Sequence, residues 1–424
     1  MTLGFLVLRK GFLKVMGVTI QAALDRGHRV VLVWDPNEAK PGELVTGAEL
    51  ETWPRARRVV YRRGTPLWPV LEAEGIEALI SPSLYYVIEA TMAPEDVEAI
   101  GRAGIRLYSL DYSLETAISN PAGYGVIDTT FYVSEYQRQL HWTLLADQFA
   151  ALAPGVDRIG RSAVCGSTML DQLSVVDRAA VRKRYRLGPD QPVVLFMSLK
   201  MAVPDPWRRQ VWGAAPRPWR ALRALLSGHA AWTGEILRGQ GYRELMESLR
   251  AYCARTGAAL VVKSREKNED PPFVRDLADV FVYDERVYPY TSMELMAIAS
   301  LCVHFDSGAV LEAAFAGVPS LSVAVSQAHL SGHAYFDELY GGRPGSMQNF
   351  SGVVWRMRPR EAIEQLRRRS LGDFAIDPEA RHRYVEKFQG FDDTHSSARV
   401  IDTIERAART SPSEPEVVPP EPFP

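Results

Sequence analysis

The sequence predicts an α/β protein made of two doubly wound parallel-sheet domains that face a central cleft. Three observations carry that expectation. Short apolar runs alternate with helical stretches through both halves of the chain. Glycine, proline and small polar residues punctuate the joints between them. The 424 residues are enough for two domains of ordinary size. A hydrophobic content of 46% with 24% charged residues fits a folded globular chain, and a net charge of -2 excludes the basic footprint of a nucleic-acid binder.

The elements follow in order. Leu3 to Leu8 reads as a strand, Arg9-Lys10-Gly11 as a turn, Val15 to Arg26 as a helix capped by Gly27, and His28 to Trp34 as a second strand. This opening is Rossmann-like but lacks G-x-G-x-x-G, so it does not point to a tightly held dinucleotide. Its Lys10 and Gly11 are placed at the carboxyl end of the first strand, facing the cleft. Further strands are expected over 78–81, 105–110, 130–133 and from Arg161 to Cys165, with helices over 66–74, 94–103 and from Ser134 through Gln148. Ser134 with Glu135 and Gln137 reads as a helix cap. The first domain is assigned to 1–166 and the second to 167–390, with strands over 191–197, 259–262 and 280–283 and helices over 242–255, 359–369 and 378–387. A C-terminal helix is expected within 391–409, and the Pro/Glu-rich stretch 410–424 reads as a disordered tail.

The most informative stretch is SLCVHFDSGAVLEAAFAGVPSLSV, residues 300–323. Leu301 to Phe305 suits a buried strand, and Asp306-Ser307-Gly308 is a turn of small polar residues. Ala309 to Ala316 is helix-forming, Gly317 and Pro319 stop it, and Leu321 to Val325 opens another strand. Small residues let backbone approach a ligand, and the unpaired N–H groups that open a helix favour a phosphate. Ser307 adds a hydroxyl. Glu312 falls about one turn inside the helix, within reach of a sugar or ribose hydroxyl. His304, inside the apolar strand, reads as a satisfied core histidine.

The pattern DSG-x-x-x-EA-x-x-x-G-x-P resembles the donor-nucleotide signature of GT-B glycosyltransferases and of the related UDP-N-acetylglucosamine 2-epimerases. That resemblance implies a pyrophosphate on Ser307 and Gly308, beside Asp306, and a sugar or ribose hydroxyl on Glu312. Residues 100 to 405 also follow an order similar to that of CDP-glycerol glycerophosphotransferases and kindred surface-polysaccharide transferases. The chain departs from those at two family histidines. It carries Asp111-Tyr112 where they have His-Gly, and Lys263-Ser264-Arg265 where they have Lys-x-His-Pro, which favours a sugar nucleotide over glycerophosphate.

The chemistry expected from that reading needs a cation on the leaving diphosphate, for which Lys263 and Arg265 follow a predicted strand. An inverting transfer needs a general base, for which Asp111 is the first candidate and Glu115 the second. Lys10, Gly11, Ser326 and His329 are candidates for the acceptor side or the cleft. His329 and His333 share one face if that segment is helical, without partners in metal spacing, so no metal is expected. No cofactor is expected beyond a nucleotide-sugar cosubstrate, UDP-linked. Cys165, Cys253 and Cys302 form neither a metal spacing nor a disulfide framework and point to a reducing compartment. No apolar run reaches ~18 residues, and the apolar start reads as a strand rather than a signal peptide. The Trp/Arg-rich insertion 204–232 reads either as a peripheral contact with the inner membrane face or as a loop packed between the domains. The sequence therefore predicts a cytoplasmic glycosyltransferase acting on a surface-glycan or lipid-linked acceptor. A CDP-glycerol-type transferase, a nucleotide-sugar 2-epimerase and an inactive nucleotide- or glycan-binding protein are the alternatives.

Overall fold

The computed structural model describes residues 1–37, 43–84, 87–88, 92, 94–111, 126–144, 146, 161–198, 240–264, 270–283, 286–324 and 342–409. The first sheet holds β1 (Thr2–Val7), β2 (Arg29–Trp34), β3 (Arg57–Val60), β4 (Ala78–Pro82), β5 (Arg106–Leu110), β6 (Thr129–Tyr132) and β7 (Ser162–Val164), in the spatial order β3-β2-β1-β4-β5-β6-β7. The second holds β8 (Val193–Met197), β9 (Ala259–Lys263), β10 (Val280–Val282), β11 (Leu301–His304), β12 (Ser320–Val323) and β13 (Val354–Met357), in the order β10-β9-β8-β11-β12-β13. Neighbouring strands pair in parallel in both sheets. Each order reverses once, between β1 and β4 in the first sheet and between β8 and β11 in the second. In open α/β sheets the ligand crevice lies outside the carboxyl ends of the strands at that reversal.

The helices are α1 (Lys10–Asp25), α2 (Gly47–Leu50), α3 (Trp68–Ala73), α4 (Pro94–Arg102), α5 (Glu135–Leu144), α6 (Arg178–Arg184), α7 (Gln240–Thr256), α8 (Pro272–Leu277), α9 (Thr291–Ile298), α10 (Ala309–Phe315), α11 (Pro359–Arg368), α12 (Pro378–Gln389) and α13 (Ser396–Arg409). Their amphipathic spacing decides what they cover. In α1, Phe12, Leu13, Met16, Ile20 and Ala23 are buried on one face against the first sheet. The cap read at Ser134 is present: its hydroxyl accepts from the Gln137 N–H at 3.1 Å, and the Gln137 carboxamide oxygen accepts from the Val133 N–H at 2.8 Å.

One expectation is corrected here. Arg9-Lys10-Gly11 is not a turn; α1 begins at Lys10, and only Leu8 and Arg9 separate it from the end of β1 at Val7. The first helical N–H finds a partner in the Glu43 carbonyl, 2.8 Å from the Lys10 nitrogen, so no separate turn is needed.

The two lobes meet on two flanks. On one, Val287 belongs to the core of the first domain and the Tyr288 ring lies 5.3 Å from that of Trp53. Gly17 of α1 makes room for it, since a Cβ there would stand 2.6 Å from Tyr288 Cδ2. On the other, Val133, just past β6, packs with Val310 and Ala314 of α10 and with Tyr384 and Phe388 of α12. Gly390, with φ +82°, presses on the Val133 carbonyl where no side chain would fit. Finally α13 crosses back and buries Val400, Ile401 and Ile404 in the core of the first domain. Its two opening N–H groups, from Ser396 and Ser397, donate to the buried Asp171 carboxylate at 3.1 and 2.6 Å. The carboxyl end of β6 and the helix after β11 are thereby brought against each other across the domain boundary.

Candidate functional site

The Asp306-Ser307-Gly308 turn sits at the reversal point of the second sheet. His304 pairs in register with Met197, so the residues after β11 stand beside Ser198 at the end of β8. The turn is built from underneath. Burial pushes the His304 imidazole down to about 3, so it is neutral. Its Nδ1 accepts from the Ser307 N–H at 3.3 Å, which leaves Nε2 as the N–H that donates to Ser320 Oγ at 2.6 Å. His304 is thus the satisfied core histidine that the sequence indicates. Asp306 has φ +29°, in the left-handed region. Its carboxylate does not face outward as a donor ligand. It accepts from Arg356 Nε and Nη2 at 3.1 and 3.0 Å and lies 2.9 Å from Ser322 Oγ. That placement corrects the reading of Asp306 as a donor contact, and the reason is burial: the side chain is 1% exposed and carries a charge that needs a partner. Arg356, Ser322 and Gln348, whose carboxamide N–H donates to the Ser307 carbonyl at 2.9 Å, were not read from the sequence.

Among the described residues nothing covers the outer side of the turn: Gly308 is exposed, with φ -56° and ψ -16°, and a Cβ added there would meet none of their atoms within 4 Å. Ser307 Oγ accepts from the Ala309 N–H at 3.3 Å, and its own proton is given to no acceptor among the described residues. Glu312, half-buried, occupies the first turn of α10 as expected.

The cation side differs from expectation. Lys263 ends β9 but is buried, and its ammonium donates to the Ser264 carbonyl instead of reaching into the cleft. Its backbone is paired on both sides, with Met197 and Val282, and its ammonium folds back onto the next carbonyl within the buried end of the strand. Lys263 also stands near Asp270, whose carboxylate accepts from Ser198 Oγ at 2.7 Å and from Ser264 Oγ at 2.5 Å. Burial raises the Asp270 carboxyl above its ordinary value, against the opposing pull of those hydroxyls. Arg265 lies outside the described residues.

In the first sheet, Asp111 follows β5 directly, is 2% exposed, and donates its N–H to the Phe131 carbonyl at 2.8 Å. Next to it, at the end of β4, stands Ser83. Its N–H donates to the Leu110 carbonyl at 3.0 Å, its φ is +49°, and its buried hydroxyl has no hydrogen-bond partner among the described residues. Only a Pro-Ser pair closing a strand could have signalled it in the sequence. The Lys10 ammonium lies 3.4 Å from Glu49 Oε1, a partly buried pair, and a Cβ on Gly11 would meet nothing within 4 Å among the described residues. Burial would raise the Glu49 carboxyl, but bonds from Thr46, with Lys10 nearby, bring it below its ordinary value. Glu115, Ser326, His329 and the 204–232 insertion lie outside the described residues. Among the described residues no group of three or more His, Cys, Asp or Glu could hold a metal ion. Among them, too, no helix is long and apolar enough to cross a membrane.

No family model matches the chain. No curated protein matches it either. Solved structures do. The UDP-GlcNAc 2-epimerase from Methanocaldococcus jannaschii superposes with a TM-score of 0.56 at 10% identity, over 96% of this chain and 100% of that one. The UDP-GlcNAc 2-epimerase from Neisseria meningitidis, bound to UDP-GlcNAc, gives 0.53 at 11% identity over 96% and 100%. The S. aureus MnaA–UDP co-structure gives 0.52 at 12% identity over 96% and 97%. At such identities the likeness is one of fold, and the fold is of GT-B type: two parallel-sheet domains with helices on their faces.

Proposed function

We propose that this chain is a nucleotide-sugar enzyme, a glycosyltransferase that moves a sugar from a UDP-linked donor to a glycan or lipid-linked acceptor. The observation that carries the reading is the position of the Asp306-Ser307-Gly308 turn at the reversal point of the second sheet, with the outer side of Gly308 clear of the described residues. The donor diphosphate takes the Ser307 hydroxyl and the Gly308 N–H, and Glu312 takes a ribose or sugar hydroxyl. Arg265, two residues past β9, is the diphosphate cation, with Lys263 behind it. Across the boundary Asp111 is the base. It takes the proton of the acceptor hydroxyl as that oxygen bonds to the anomeric carbon and the bond from that carbon to the diphosphate oxygen breaks, releasing UDP. A buried carboxylate next to Ser83, whose hydroxyl has no partner among the described residues, suits binding of a hydroxyl-bearing substrate. The reaction draws on no cofactor beyond the nucleotide sugar. The reading includes a cytoplasmic protein with peripheral membrane contact through 204–232.

A second reading, a nucleotide-sugar 2-epimerase, is favoured by the two structural neighbours that are described as UDP-GlcNAc 2-epimerases. Incubation with a panel of UDP- and CDP-linked sugars separates the two. Acceptor-dependent release of UDP supports the transferase, and a changed sugar on an intact nucleotide supports the epimerase. Binding without turnover leaves a nucleotide-binding protein, and no interaction with any of the panel removes both readings.

A further inference from the structure

We infer that Arg356 is a positioning residue for the donor turn, which it holds through Asp306. The inference rests on the nucleotide-sugar reading of that turn and adds a residue 50 positions away from it in sequence.

The reasoning starts from Asp306. A residue with a Cβ at φ +29° is strained and keeps that conformation only where its surroundings over-determine it. What surrounds it is Arg356, whose Nε and Nη2 grip the carboxylate in fork geometry at 3.1 and 3.0 Å. The pair is asymmetric: the Asp306 side chain is 1% exposed and that of Arg356 23%. The carboxylate therefore depends on the guanidinium for its charge. Arg356 reaches it from β13, two strands away in the sheet, along a row in which His304, Ser322 and Arg356 stand in register across β11, β12 and β13. The same row supplies Ser322 Oγ to Asp306 and His304 Nδ1 to the Ser307 N–H, and Gln348 takes the Ser307 carbonyl. The Asp306 carboxylate and the Ser307 N–H and carbonyl are thus engaged, which leaves the Ser307 hydroxyl and the Gly308 N–H for a ligand. On its far side the guanidinium packs against Gly342, which has φ +76° and where a Cβ would collide with Nη1. The fork has one seat, and that seat fixes the direction of the Ser307–Gly308 backbone.

The test uses the full chain, UDP as the probe, and hydrogen–deuterium exchange of the peptide covering 304–312. In Arg356→Gln the amides of 306–311 should exchange at least about tenfold faster while remote peptides are unchanged, and the Kd for UDP should rise about tenfold or more. The double variant Asp306→Gly, Arg356→Gln removes the stranded carboxylate together with the fork, so a turn that the fork positions stays loose and the UDP affinity stays as weak as in Arg356→Gln. Recovery to within about threefold of the parent would mean that Arg356 only neutralises Asp306. Should Arg356→Gln fail to fold, Asp306→Asn is the milder variant. Asparagine tolerates the left-handed region but loses the charge, and it should show the same changes to a smaller degree. Unchanged exchange at 306–311 with a normal UDP Kd overturns the positioning role while leaving the nucleotide site standing, and so does a double variant whose UDP affinity recovers. Faster exchange in Arg356→Gln, in a parent chain that binds neither UDP nor CDP, supports the grip on the turn and removes the nucleotide reading.

Discussion

Gly308→Ala separates packing from ligand contact more cleanly than any other single change. In most glycine positions an added methyl group is confounded by strain or collision. Here the backbone is already in the right-handed helical region at φ -56°, ψ -16°, and the new Cβ meets nothing within 4 Å among the described residues. For the free protein the substitution should therefore be neutral or stabilising, by about 0.4–1 kcal/mol, because alanine loses less freedom on folding. If the open space is where the diphosphate comes closest to backbone, the methyl group occupies it. Overfilling a fitted contact costs about 1–3 kcal/mol, which corresponds to a UDP Kd raised roughly 5- to 150-fold. Thermal unfolding without ligand and calorimetric titration with UDP measure the two effects on one preparation. A melting temperature equal to or above the parent's with weakened UDP binding is the expected pair. Unchanged UDP affinity in a stable Gly308→Ala variant would refute the proposed approach of phosphate to this turn.

Three other expectations are open to direct measurement. Asp111→Asn should lower kcat by about 10²- to 10⁴-fold, the usual contribution of a positioned base, while the UDP Kd stays at the parent's value; equal kcat in the variant removes Asp111 from the chemistry. Glu312→Ala should weaken donor binding by about tenfold, the equivalent of one hydrogen bond to a charged group, and the loss should vanish for a nucleotide lacking the hydroxyl it holds. The third concerns pH. Burial pushes both His304 and His141 down to about 3 from an ordinary 6.5. The unfolded chain then binds two protons that the folded chain does not, so stability rises with pH from about 3 to about 6.5 and is level above, at about 1.4 kcal/mol per pH unit for each ring. Urea unfolding of the parent and of His304→Gln across pH 4 to 7 should show the shallower slope in the variant, and parallel slopes would contradict a neutral buried imidazole.

Much of the fold was legible because parallel strands buried on both faces read as apolar runs, as in Val193–Met197 and Leu301–His304. The two strands not foreseen show where that signal fails. β3, with the sequence RRVV, is the edge of its sheet, and its arginines can stay in water. β13, with the sequence VWRM, breaks its apolar run at Arg356, the residue that reaches Asp306. At the candidate site the sequence indicated the turn and the helix after it, because small residues, a helix start and a glycine stop are local signals. It did not indicate which way Asp306 and Lys263 point. Whether a charged side chain at a strand end turns inward depends on a partner two strands away, or on a neighbouring carbonyl and a carboxylate such as Asp270, and no local spacing encodes that. Ser83 shows the same limit: its burial beside Asp111 exists only once β4 and β5 are paired.

The central claim, that the residues after β11 grip the diphosphate of an activated donor, is tested most directly by a crystal structure of the chain soaked with UDP. The account predicts diphosphate oxygens within hydrogen-bond distance of the Gly308 N–H and the Ser307 hydroxyl, with the ribose near Glu312 and Asp306 still held by Arg356. A diphosphate bound instead at the carboxyl end of β1, among Arg9 and Lys10, with the 306–312 segment untouched, would contradict it.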